Sequence, residues 1–168
     1  MLSEAVQHYL KAIYKLGKMQ AAQDPVTTSL LAERLGVTPA SVTNMVKRLA
    51  ALHLVAHPPY QGVALTHTGE RVALEVIRHH RLLELYLARA LGYPWDEVHA
   101  EADRLEHAIS EELEDRIDQV LGHPTIGAHG EPIPSRHGDM ESLPYRRLSE
   151  LEVGQKAVIR RARDCHPE

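Results

Sequence analysis

Two short amphipathic segments on either side of a glycine constrain the fold of this 168-residue chain more than any other feature. TTSLLAERLG predicts a helix that is capped by Thr27 or Thr28 and stops at Gly36. VTPASVTNMVKRL follows directly and predicts a second helix, with Thr38 as its N-cap and Pro39 at its first position. Two short helices joined by a tight, glycine-containing turn are typical of a helix-turn-helix.

The segments on either side of this motif extend it to a winged helix. Residues 3–18 have the apolar spacing of an amphipathic helix, and HLVAHPPYQGVALTHTG has apolar pairs around PPYQG that predict a two-stranded hairpin, or wing. Residues 1–66 carry six Lys/Arg against three Asp/Glu, a net charge of +3. A generic helical hairpin is the alternative, but the wing favours a DNA-binding domain over residues 1–67.

The start of the second helix is where a helix-turn-helix enters the major groove of DNA. Its hydroxyl and amide side chains can reach base edges or phosphates, its small residues permit close approach, and nearby basic residues suit phosphate contacts. The predicted DNA-binding residues are Arg34, Thr38, Pro39, Ala40, Ser41, Asn44, Lys47 and Arg48.

The middle of the chain is strongly acidic and is predicted to be helical. Residues 67–145 carry seven Lys/Arg against sixteen Asp/Glu, a net charge of −9. Apolar spacing predicts three helices, one from its N-cap Thr68 to Gly92, one from Trp95 to about Ala108 and one that begins at Ser110. We therefore expect a second, helical domain over residues 68–122.

Potential metal ligands cluster on these helices. With about 100° of rotation per residue, His99, Asp103, Glu106 and His107 share one flank of the second helix, beside its apolar seam. Neighbouring carboxylates repel each other on a bare helix, whereas a divalent cation would bind carboxylates and neutral imidazoles together. A solvated flank with packed histidines is the alternative.

Further histidines strengthen the metal hypothesis. The chain has twelve, and His80 and Glu84 are four residues apart, so they lie on one face of the long helix. His8, on the first helix, is a third candidate, although a single helical histidine is usually packed or solvated.

Together these residues resemble the diphtheria-toxin-repressor family, which includes the manganese transport regulators. The similarity runs from about Val6 to Asp118, and GEPIP at 130–134 is similar to the family's linker. The matching stretches are TPASVTNMVKRL, QGVALTHTGERVA, RHHRLLELYLARALG and VHAEADRLEHAISEELEDRI. The resemblance implies a mainly α fold with a small β wing, in which a winged helix-turn-helix precedes a helical dimerisation and metal-binding domain.

The resemblance also implies two metal sites. The ligands are His8, Asp103, Glu106 and His107 for the primary site, and His80, Glu84 and His99 for the ancillary site. Iron-responsive members have sulfur ligands at the positions of His8 and Asp103. Manganese-responsive members have carboxylates at both positions and also at Lys11, so their paired two-metal arrangement is not expected in this chain.

These ligands and this family imply a metal-activated homodimeric repressor that binds a palindromic DNA operator. Oxygen and imidazole donors without sulfur favour Mn²⁺ and then Fe²⁺, while Zn²⁺, Co²⁺ and Ni²⁺ are expected to bind in vitro. Two alternatives stay open at this point, a metal-dependent enzyme and a winged-helix regulator that senses an organic ligand or pH. Leu82, Leu85 and Leu87 are candidates for dimer contacts, and core packing explains them equally well.

The remaining segments predict little chemistry. Residues 123–144 have the composition of a linker, and residues 145–168, with the strand-like stretch VGQKAVIRRA, are similar to the incomplete start of an SH3-like domain. With fewer protein ligands, the ancillary site is expected to be weak. A single cysteine, Cys165, fits a reducing cytoplasm, and no apolar run is long enough for a membrane span.

Overall fold

The structure, a computed structural model, describes residues 2–19, 25–58, 61–140, 146 and 148–159. Within these residues it has six α-helices, a two-stranded sheet and a short 3-10 helix at Leu148–Glu150. The elements are α1 (Glu4–Met19), α2 (Thr28–Leu35), α3 (Pro39–Ala51), β1 (Val55–Ala56), β2 (Ala64–Leu65), α4 (His67–Ala90), α5 (Val98–Leu105) and α6 (Glu111–Val120). The prediction of a mainly α fold with a β wing is confirmed. The chain forms two compact units, Met1–Ile77 and Arg78–Glu168.

The helix-turn-helix forms where the capping residues predict it. The Thr27 side chain accepts a hydrogen bond from the backbone N–H of Leu30 at 3.2 Å, and Gly36 ends α2 with a φ of 61°, which is in the left-handed region that favours glycine. Thr38 caps α3 by accepting from the N–H of Ser41 at 3.3 Å. Local sequence therefore determines both helices and their turn.

The wing is a short antiparallel ladder that pairs Val55 with Leu65 and Ala56 with Ala64. The N–H of Val63 also donates to the carbonyl of Val26 at 2.8 Å. The tip residues 59 and 60, which belong to the predicted turn PPYQG, lie outside the described residues.

The N-cap of the long helix is Thr66, so the prediction of Thr68 is wrong. The Thr66 hydroxyl accepts from the N–H of Gly69 at 3.1 Å and donates to the carbonyl of His53 at 2.8 Å. Gly69 packs against the backbone of Leu54 so closely that a Cβ would overlap its carbonyl oxygen. This tertiary contact decides the start of α4.

The second unit has its own apolar core. It combines residues from α4, α5, α6 and the segment after α6. These are Leu82, Leu83, Leu85, Leu87, Val98, Ala102, Ile117 and Ile133. The three leucines considered for dimer contacts are at most 3% exposed within a single chain, so core packing accounts for them.

Helix α5 is shorter than predicted. It ends at Leu105, and residues 106–108 form a turn before Ser110 caps α6 by accepting from the N–H of Leu113 at 3.2 Å. Glu106 is the C-cap of α5 and keeps the helical path, since its backbone angles are helical and its N–H donates to the carbonyl of Ala102 at 2.9 Å, whereas His107 lies within the turn.

The Gly- and Pro-rich segment after α6 packs onto the second unit. The N–H of Ile133 donates to the carbonyl of Thr125 at 2.8 Å, Ile126 pairs with Pro132, and Ile133 is buried in the core. The strand expected at VGQKAVIRRA is not formed over residues 153–159, where Val153, Val158 and Ile159 are exposed. About twenty residues cannot enclose a core of their own. Among the described helices, none is long and apolar enough to cross a membrane.

A buried ionic network joins α4, α6 and this segment. Arg78 Nε lies 2.5 Å from Glu114 Oε1, and its guanidinium also donates to the carbonyl of Pro134 at 2.9 Å. His79 Nε2 lies 3.0 Å from Glu114 Oε2, and its Nδ1 lies 3.1 Å from the backbone carbonyl of Glu106. Both ring nitrogens of His79 thus face oxygen acceptors, which requires a proton on each.

Glu114 is ionised in this network. Burial raises the pKa of Glu114, but the hydrogen bonds from His79 and Arg78 outweigh burial and lower it from 4.5 to about 2. A carboxyl whose pKa falls on folding stabilises the folded state above its unfolded pKa. That contribution is lost as the pH falls through the folded value.

We predict that Glu114→Gln destabilises the protein by about 3 kcal/mol at neutral pH, because it leaves Arg78 and His79 buried without their carboxylate. Urea unfolding of both proteins measures the difference. It should be constant above pH 4.5 and shrink as the pH falls toward 2. Glu112→Gln, an exposed carboxylate on the same helix, should change stability little, and an equal loss in both variants would contradict the prediction.

Candidate metal centre

His80 is the centre of a buried polar cluster in the second unit. It lies on α4 and is 5% exposed. Its Nδ1 is 2.6 Å from Glu106 Oε2 and 3.2 Å from Asp103 Oδ1. Its Nε2 is 3.0 Å from Glu84 Oε1 and 3.1 Å from His99 Nδ1. The helical spacing of four residues brings Glu84 to His80, and α5 supplies His99 and Asp103.

Three donor atoms in this cluster form a small triangle. His80 Nε2, Glu84 Oε1 and His99 Nδ1 are separated by 3.0 Å, 2.9 Å and 3.1 Å. A divalent ion with ligands at about 2.0–2.2 Å in tetrahedral or octahedral geometry holds neighbouring ligands about 2.8–3.6 Å apart. The triangle therefore has the size of one face of a metal coordination shell.

The position of the proton on the His80 ring is also compatible with metal binding. With its proton on Nδ1, the ring donates to Glu106 and keeps the Nε2 lone pair facing the triangle. A carboxylate behind a ligating histidine is a common support in metal sites, because it fixes the tautomer and the ring orientation. Without an ion, Nε2 needs a second proton to face Glu84, so a metal and a proton compete for this position.

The cluster contains two buried carboxylates, whose negative charge must be balanced by nearby positive charge. Glu84 is 3% exposed and Glu106 is 1% exposed. Burial raises the pKa of Glu84, but hydrogen bonds from His80 and His99 outweigh burial and hold the pKa well below its usual range. Buried carboxylates need a cation beside them, and protonated histidines or a metal ion can supply it.

The two predicted ligand sets are joined through His80. The ancillary residues His80, Glu84 and His99 come together as predicted by the resemblance, and Asp103 and Glu106 of the primary set touch the same imidazole. His107 Nε2 lies 3.3 Å from Glu106 Oε1. Glu106 keeps a helical backbone at the end of α5, and its side chain is fully buried, deeper than the flank beside the apolar seam that the sequence predicts. His8 lies on α1 in the first unit, and its role as a ligand stays a prediction.

Two nearby histidines were missed by the sequence analysis. His79 supports the backbone of Glu106, and His129 Nε2 lies 3.4 Å from Glu84 Oε1. His129 was overlooked because its segment has the composition of a linker. Its position directly before the family-like GEPIP stretch is the signal that could have identified it.

The predicted DNA-binding residues lie on α2, at the N-cap of α3 and along α3 in the first unit. All eight of them are exposed. The hydroxyl of Thr38 caps α3 and is 2.9 Å from the hydroxyl of Ser41. Asn44, Lys47 and Arg48 follow on the outer side of the helix, opposite the buried Val42, Val46 and Leu49.

Both units match domains of known repressors. Residues 1–63 match the N-terminal DNA-binding domain of iron-dependent repressors, and residues 66–135 match their metal-binding and dimerisation domain. The iron-dependent repressor IdeR of Mycobacterium tuberculosis (strain ATCC 25618 / H37Rv) is 38% identical over 94% of this chain and 70% of its own length. The diphtheria toxin repressor of Corynebacterium jeikeium (strain K411) is 31% identical over 99% of this chain and 70% of its own length.

Solved structures give the same result. A manganese-dependent transcriptional repressor in complex with manganese is similar with a TM-score of 0.84 and 42% identity, over 96% of this chain and 73% of that one. The manganese regulator SloR is similar with a TM-score of 0.71 and 35% identity, over 83% and 63%. Three of these four relatives are named as repressors and the fourth as a manganese regulator, so neither the enzyme nor the metal-independent sensor is favoured. The chain belongs to the family of iron-dependent repressors, metal-dependent transcriptional regulators of metal homeostasis that bind DNA through a winged helix.

Proposed function

We propose that this chain is a homodimeric repressor that binds a palindromic operator when it is loaded with a divalent metal. Mn²⁺ is the first choice of metal and Fe²⁺ the second. The donor triangle around Glu84 Oε1 carries the proposal, because its size fits a divalent ion. Similar proteins with manganese and iron in their names support both metals.

The donor chemistry favours Mn²⁺ as the activating metal. Every candidate ligand is a carboxylate oxygen or an imidazole nitrogen, and oxygen-rich sites suit Mn²⁺ whereas thiolates suit softer ions. Zn²⁺, Co²⁺ and Ni²⁺ should also bind in vitro by the usual affinity order.

In this proposal the primary site takes its ligands from both halves of the protein. His8 on α1 supplies one ligand, and Asp103, Glu106 and His107 supply the others. One ion held by both halves would fix the orientation of the DNA-binding half, and so the spacing of the two recognition helices in a dimer. Half-sites one helical turn apart require that spacing. The metal would thus favour the DNA-competent arrangement by binding it more tightly.

We predict that Mn²⁺ raises the affinity for a palindrome selected from random DNA by about tenfold or more, and that EDTA reverses the effect. Fluorescence anisotropy of the labelled duplex measures it. Glu84→Gln should weaken Mn²⁺ binding and the DNA response, because a neutral amide replaces the carboxylate of the triangle. Glu75→Gln, an exposed carboxylate on the same helix, serves as the control. EDTA-insensitive binding would contradict the metal requirement and favour an organic-ligand sensor.

We predict different effects for two residues of α3. Lys47→Ala should weaken binding to all sequences and reduce the slope of log affinity against log salt by about 1, because it removes a phosphate contact. Asn44→Ala should cost about 1–3 kcal/mol at one base position and relax its specificity. Salt titrations with the selected palindrome and single-base variants distinguish the two. Identical behaviour of both variants would remove the assignment of Asn44 to base readout.

A further inference from the structure

The buried imidazole of His79 bridges two helices of the second unit. His79 lies on α4, directly before the candidate ligand His80. Its Nδ1 lies 3.1 Å from the backbone carbonyl of Glu106, and its Nε2 lies 3.0 Å from Glu114 Oε2. Both distances are within the usual range of a hydrogen bond. One ring nitrogen therefore donates to the C-cap of α5 and the other to α6.

The bridge meets the candidate metal centre at Glu106. The last carbonyls of an α-helix lack an N–H donor from a following turn, and His79 supplies that donor to Glu106 at the end of α5. The carboxylate of the same residue lies 2.6 Å from His80 Nδ1 and 3.3 Å from His107 Nε2. A hydrogen bond to the backbone of Glu106 thus fixes the point from which its carboxylate reaches two candidate ligands.

The contact of His79 with Glu114 has a different consequence. Glu114 is buried, and its other carboxylate oxygen lies 2.5 Å from Arg78 Nε. Two neighbouring side chains of α4 therefore attach this carboxylate, and with it α6, to α4. The Nε2 contact contributes to the fold, whereas the Nδ1 contact joins α4 to a residue of the candidate metal centre.

We propose that His79 is a positioning residue of the metal centre, and that it acts through the backbone of Glu106. Its Nδ1 sets the position of the Glu106 carboxylate, and its Nε2 attaches the ring to α6. This inference rests on the proposed function, since it assumes that the centre binds a divalent ion. Removing a group that orients the ligands of a metal typically lowers the metal affinity by about 10–100-fold.

Two amide variants of the full chain separate the two roles of the ring. The amide nitrogen of Asn comes close to the position of Nδ1, and that of Gln comes close to the position of Nε2. Both side chains are uncharged, so both variants lose the same charge. His79→Gln should keep the contact with Glu114 and bind Mn²⁺ about tenfold or more weakly. His79→Asn should keep most of the wild-type affinity for Mn²⁺.

The two variants should rank in opposite orders for Mn²⁺ affinity and for stability. His79→Asn should unfold at a lower urea concentration than His79→Gln, because buried Glu114 loses one of its hydrogen-bond donors. The EPR signal of the free ion measures Mn²⁺ affinity, and urea unfolding of the metal-free chain measures stability. A role in folding alone predicts the same order for both properties. His137→Gln, which changes an exposed histidine of the same unit, should alter neither.

The NMR chemical shift of the Glu106 carbonyl carbon tests the positioning without any metal. It responds to the loss of a hydrogen bond, so it should change in His79→Gln and stay near the wild-type value in His79→Asn. The proposal is overturned if this pattern is reversed, if both variants bind Mn²⁺ equally weakly, or if His79→Gln binds it as tightly as the wild type. A wild-type chain that binds no Mn²⁺ would instead overturn the proposed function itself.

Discussion

Two buried carboxylates, Glu84 and Glu106, face the buried imidazole of His80, and this contact lies at the centre of the polar cluster in the second unit. Ionised carboxylates are costly to bury unless positive charge or hydrogen-bond donors lie beside them. His80 alone cannot neutralise both, and His99 adds a second imidazole next to Glu84. The cluster therefore needs protons or a metal ion, and this requirement supports the proposed response to a divalent cation.

Contacts elsewhere in the second unit fix the positions of these side chains. Spacing of four residues on α4 aligns His80 with Glu84, and Glu106, the C-cap of α5, contacts Nδ1 of the same imidazole. His79 fixes the carbonyl of Glu106 and is itself fixed by Glu114, which also pairs with Arg78. A second ionic network thus supports the backbone of the first. Removing Glu114 should loosen the position of Glu106 as well as weaken the fold.

Sequence reasoning succeeded where the determinants are local. Thr27, Gly36, Thr38 and Ser110 act through hydrogen bonds and backbone conformations within one turn of the chain, so the helix-turn-helix and the start of α6 were predictable. The ligand set of His80, Glu84 and His99 came from a family resemblance.

Sequence reasoning failed where contacts between residues far apart in the chain determine the structure. Thr66 rather than Thr68 caps α4 because Gly69 must pack against Leu54, which is far away in sequence. Glu106 is buried because its side chain packs against His80 of α4, and His129 reaches the cluster because a segment with the composition of a linker folds back onto α4. Helical periodicity contains no information on either event.

The account depends most directly on whether the cluster around His80 binds an ion. Anomalous diffraction from crystals grown with Mn²⁺ locates the metal without reference to activity or DNA. The account predicts an anomalous peak about 2.0–2.3 Å from His80 Nε2, Glu84 Oε1 and His99 Nδ1. A well-ordered crystal at saturating Mn²⁺ with no peak within ligand distance of these three atoms would contradict it.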